Sequence, residues 1–129
     1  MNADYKIFPE RELVEIRYWD RVDSDMVLEL VNKSTHDPGW SPGFDLFVDL
    51  SWVTVVDINF NQMMGISHRG GPCLSQGRPS RMAILAPDDT TFGTARMYAT
   101  LMDPVHGVEV EAFRDRDEAQ AYVCCHNPS

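Results

Sequence analysis
The chain has 129 residues, with 20 acidic and 11 basic side chains and a net charge of −9. Apolar residues make up 43% and charged residues 24%, a globular rather than a disordered composition. So acidic a chain repels phosphate backbones, its arginines are scattered, and nucleic acid is excluded as the expected partner.

No internal repeat or Pro/Ser-rich linker divides the chain, so residues 1–129 are expected to form one domain. The charged N-terminus lacks the apolar run of a signal peptide, and no stretch approaches the roughly 20 apolar residues of a membrane span. A cytoplasmic protein is expected. The three cysteines, Cys73, Cys124 and Cys125, are odd in number and include an adjacent pair, so reduced thiols are expected rather than a disulfide framework.

In chain order, Tyr5–Phe8 reads as a strand, and Pro9–Glu12 as a turn. Val14, Ile16 and Tyr18 then alternate with Glu15 and Arg17, as in a half-exposed, antiparallel or edge strand. Asp23 or Ser24 caps a helix over 24–35, whose stripe is Met26, Val27, Leu30 and Val31. His36-Asp37-Pro38-Gly39 ends it. Phe44–Leu50 is nearly unbroken apolar sequence and suits a central strand covered on both faces. Ser51–Val56 leads into Asp57, placed at the N-cap of a second helix with Phe60, Met63, Met64 and Ile66 inward and Gly70-Gly71-Pro72 as its breaker. Arg81–Pro87 is another buried strand. Asp88, Asp89 and Thr90 cap a third helix over about 90–103, with Phe92, Ala95, Ala99 and Met102 inward. Val108–Phe113 alternates as a strand. Asp115–Glu118 opens a last helix lined by Ala119, Tyr122 and Val123. Strands alternating with helices imply an α/β fold: a mostly parallel five-stranded sheet with an antiparallel N-terminal pair and about four helices.

Four pieces resemble the STAS domain, and more closely the SpoIIAA-like family of STAS/SEC14-type bacterial proteins. They are YKIFPERELVEIRYWDRV, PGFDLFVDLSWVTVVD, RMAILAPDDTTFGTARMY and VEVEAFRDRDEAQAY, and they span nearly the whole chain. The resemblance implies a non-enzymatic regulatory domain that acts through protein–protein contacts, with a homodimer expected. STAS domains that antagonise anti-sigma factors carry a serine or threonine directly after the aspartate that opens the second helix, and a partner kinase phosphorylates it. Here Asp57 is followed by Ile58, which cannot be phosphorylated. The likeness to SEC14-type carriers implies an alternative: a carrier or sensor of a small apolar or lipid-like ligand. Seven methionines suit an adaptable pocket as well as ordinary core filling.

The side chains nominated for binding are Asp57, Asn59, Phe92, Arg96 and Tyr98. Asp57 and Asn59 mark a helix N-terminus, where Asp57 is either a cap or part of a docking surface. Gly93 costs roughly 1 kcal/mol in a helix relative to alanine, which points to close approach of a backbone or ligand. Arg96, beside Met97 and Tyr98, offers a planar fork to an anion, or simply pairs with Asp89 or Asp103. No catalytic set assembles: the chain has no GxSxG, Walker loop or GxGxxG. Cys124-Cys125-His126 has poor chelate geometry, so neither metal nor cofactor is expected. His68 with Arg69-Gly70-Gly71 reads as a solvated loop or a small anion site.

Overall fold
The computed structural model describes residues 2–41, 43–66, 81–106 and 109–124. The expected break at Gly70-Gly71-Pro72, the loop around His68, and Cys73, Cys125 and His126 lie outside them, as do the side chains of Met102, Asp103, His106 and Cys124. The elements run β1 (Ala3–Phe8), β2 (Leu13–Asp23), α1 (Ser24–Thr35), β3 (Asp45–Asp57), α2 (residues 60–66), β4 (Arg81–Leu85), α3 (Asp89–His106), β5 (Glu109–Phe113) and α4 (Arg116–Cys124).

The five strands form one sheet in the order β1-β2-β3-β4-β5. Only β1 and β2 are antiparallel, joined through a 3₁₀ turn at Pro9–Arg11. Glu12 closes that turn at φ 52°, its N–H donating to the Pro9 carbonyl at 3.1 Å. The remaining pairs are parallel, each reached by a helical crossover. Val48 lies beside Ile84 in parallel register, so the two oily strands are adjacent and point the same way. Asp45 is buried, and its carboxylate accepts the Arg81 N–H at 2.9 Å, which fixes the start of β4 against β3.

β3 is covered on both faces because its side chains alternate between two cores. Leu46 joins Val14, Ile16 and Ile84 against Leu30 and Val31 of α1, Met63 and Ile66 of α2, and Ala95 and Tyr98 of α3. Phe47 joins Leu13, Ala83 and Leu85 against Ala119 and Val123 of α4. Burial of a side chain such as Phe47 stabilises the fold by about 1.5–3 kcal/mol.

Three local expectations are corrected. Asp57 is not a helix cap: β3 runs on to it, paired with β2 through Asp23 and Asp57. Asn59 caps α2 instead, its Oδ1 accepting the Gln62 N–H at 2.8 Å while its own N–H donates to Gln62 Oε1 at 2.9 Å. This reciprocal box satisfies two donors at once, and it is written in the sequence as Asn-x-x-Gln. Phe60 is not inward: Met63 and Ile66 carry the buried line of α2, and Phe60 is 56% exposed. Gly93 answers no close approach, because a Cβ built there meets nothing within 4 Å. The cap of α1 is Asp23, which accepts the Met26 N–H at 2.9 Å.

Candidate functional site
The five nominated side chains fall in three places. Asp57 and Asn59 stand exposed where β3 gives way to α2. The Asp57 carboxylate pairs with Arg21, whose guanidinium also reaches Asp23 at 3.0 Å. One arginine thus ties the ends of β2 and β3 to the cap of α1. Phe92 and Arg96 lie on α3. The Phe92 ring has the Arg114 guanidinium 4.4 Å from its centroid and that of Arg96 6.0 Å away. Arg114 also takes Asp89, at 2.6 Å, so the proposed Arg96–Asp89 pair does not form and the fork of Arg96 stays exposed.

Tyr98 is elsewhere. It is buried and lines a partly open apolar cavity of about 80 Å³ between the sheet, α1, α2 and α3. Ile16, Tyr18, Val48, Met63 and Ile84 line the same space. Burial pushes the Tyr98 phenol far up, and burial plus the nearby Tyr98 does the same to Tyr18, so both are neutral protein-wide at ordinary pH. No hydrogen bond to another described residue holds either hydroxyl.

Sequence reasoning missed a second feature. On the face opposite α1, Trp19 of β2 lies in register with Trp52 of β3. With Asp4, Arg17 and Asp20 they line an open cleft of about 470 Å³. Asp20 has φ 62°, between two register shifts of β2 against β3, and its carbonyl accepts the Thr54 hydroxyl at 3.1 Å. Two irregularities in quick succession defeat simple alternation, so no pattern in the sequence announced this pair.

Among the described residues, no group of three or more His, Cys, Asp or Glu is placed to hold a metal, and no helix is long and apolar enough to cross a membrane.

No protein-family model and no curated protein sequence matches the chain. Several solved structures do match in shape, among them the following two. One is an uncharacterised protein of the DUF3478 family with a SpoIIAA-like fold, from Shewanella loihica PV-4. It superposes with a TM-score of 0.59 at 11% identity, over 95% of this chain and 94% of that one. The fold is SpoIIAA-like. The second match is the anti-sigma factor antagonist SpoIIAA in its unphosphorylated form, with a TM-score of 0.55 and 14% identity over 94% of this chain and 96% of that one. Within this SpoIIAA-like fold the five-stranded mixed sheet and its helices stand as expected. At such identities the likeness is one of architecture.

Proposed function
We propose that this chain is a non-enzymatic, cytoplasmic regulatory domain of STAS type that works through protein–protein contacts, including a homodimer, without a phosphoswitch at the usual place. The observation that carries this reading is the arrangement around α2. Ile58 stands where the resemblance expects an acceptor hydroxyl, and its side chain packs against the core and lines the apolar cavity. Next to it in the chain, Phe60 is 56% exposed, beside the polar Asp57 and Asn59. Large apolar side chains left in water beside a polar rim are what an interface uses. Phe92 and Arg96 extend the surface along α3.

Sedimentation across a concentration series tests the homodimer. Phe60→Asp should weaken association about tenfold or more, as loss of a central aromatic anchor does. A chain that is monomeric throughout, or a dimer indifferent to Phe60→Asp, removes the homodimer and this surface together.

The apolar cavity favours a second reading, a carrier or sensor of a small apolar ligand. Its lining is apolar, with two tyrosines available to a polar end. At about 80 Å³ it is smaller than the roughly 150 Å³ that accepts benzene, so a lipid chain would have to widen it. Native mass spectrometry of protein taken directly from cells decides: a retained adduct supports the carrier, and a bare chain removes it.

A further inference from the structure
We infer that the cleft between Trp19 and Trp52 takes the guanidinium of an arginine presented by a protein partner, with Asp20 as its counter-ion. The choice of a protein as the source rests on the interaction role proposed above.

The argument begins with coverage. α4 packs on β3, β4 and β5. On β1, Ala3, Tyr5 and Ile7 turn to the main core, so Asp4 and Lys6 face the other way and are exposed. Leu13 and Phe8 join the core under α4, whereas the other end of the β1–β2 margin, at Asp4 and Trp19, belongs to neither core cluster. Trp52 stands there 65% exposed, and neither it nor Trp19 belongs to either core cluster. An indole left in water gives up a large burial energy and keeps an electron-rich face available to a cation.

Charge selects the ligand. Asp4 and Asp20 both line the cleft, on a chain of net charge −9. Asp4 is engaged by Arg17 at 3.5 Å. The Asp20 carboxylate has no hydrogen bond or ion pair among the described residues. Arg17 shows that a guanidinium pairs with a carboxylate at the lining of this cleft, and Asp20 supplies a second acceptor with no partner among the described residues. Guanidinium is favoured over ammonium because it is planar, stacks flat on an indole, is weakly hydrated and forks to a carboxylate. A bare aliphatic ligand would leave Asp20 unanswered, and an anion would be repelled.

Titration with L-argininamide, followed by the indole N–H resonances of Trp19 and Trp52, tests the cleft without any partner. Both resonances should move and saturate. Lysinamide should bind more weakly. Trp52→Ala and Asp20→Asn should each weaken binding about three- to fivefold, the size of an exposed cation–π or ion-pair contact. Asparagine tolerates positive φ, so Asp20→Asn keeps the local backbone while removing the charge. Phe60→Asp should leave the titration unchanged. Unmoved indole resonances, or equal binding by wild type, Trp52→Ala and Asp20→Asn, overturn the inference. The source is tested by a short arginine-containing peptide, which should bind more tightly than argininamide. Argininamide binding with no gain from the peptide rejects the protein source. Loss of the dimer with an intact argininamide titration rejects the homodimer surface alone.

Discussion

Asp49 of β3 and Arg116 of α4 meet at 2.7 Å across 67 positions of sequence. The Asp49 side chain is 4% exposed and that of Arg116 is 44%, so the arginine reaches in from the surface to a buried carboxylate. The Ser51 N–H also donates to Asp49, at 2.9 Å, and the Ser51 hydroxyl donates to the same oxygen. Arg116 lies 5.8 Å from the centroid of the Phe47 ring, at the heart of the second core. This pair locks the only helix on that face, among those described, to the central strand.

The pair makes stability depend on pH. Burial pushes the Asp49 carboxyl up, but the Ser51 and Arg116 hydrogen bonds outweigh it and hold the group below its ordinary value. A folded value below the unfolded one, near 3.9, contributes stability that is present above that value and is lost as pH falls through the folded one. Arg116→Ala should therefore cost about 1–3 kcal/mol at pH 7, the penalty for leaving a buried acceptor short of partners. The loss should shrink as pH drops below about 4. Urea denaturation at several pH values checks both parts, and a loss constant from pH 7 to pH 3 would contradict the assignment.

Gly93 sits exposed within α3 with open space around its Cβ position. Gly93→Ala should then stabilise the protein by up to about 1 kcal/mol, through the entropy the unfolded chain no longer loses. For a domain of this size that is a rise of roughly 3–6 °C in Tm. Calorimetry that shows a fall would mean that something closely approaches α3 in solution.

The entry to α2 gives a paired comparison. Asn59→Ala removes a capping box and should cost about 1 kcal/mol. Asp57→Ala removes one exposed ion pair with Arg21 and should cost less than the loss of the cap. Chemical denaturation of the two variants side by side reads the order, and the reverse order would return the cap to Asp57.

How far the sequence carried differs between fold and site. The parallel heart of the sheet was legible because Phe44–Leu50 and Arg81–Leu85 are runs of strand formers too long and too apolar for an edge. The starts of α1 and α3 followed from the candidate caps Asp23 or Ser24 and Asp88, Asp89 or Thr90, of which Asp23 and Asp88 do act as caps. The end of β3 was not legible, since Thr54, Val55 and Val56 favour a strand as readily as Asp57 favours a cap, and only pairing with β2 settles it. The site was least legible of all. Phe92, Arg96 and Tyr98 lie within two turns of one helix, yet helical rotation sends Tyr98 into the core and Arg96 to water. Trp19 and Trp52 come together only through the shifted register of two parallel strands.

Tyr98 allows the apolar cavity to be tested through stability alone. Its ring is buried among the apolar side chains of the main core, and its hydroxyl has no hydrogen-bond partner among the described residues. Tyr98→Phe removes a polar atom without removing a bond, so it should be neutral or slightly stabilising, within about 0.5 kcal/mol. Tyr98→Ala deletes the ring and enlarges an existing void of about 80 Å³. That change should cost about 3–5 kcal/mol, the transfer loss plus the cavity it leaves. If the cavity holds a guest whose polar end uses the hydroxyl, Tyr98→Phe should instead lower Tm in protein purified with its guest and have no effect after the protein is unfolded and refolded in clean buffer. Thermal melts of both variants before and after refolding separate a dry, unused space from an occupied one.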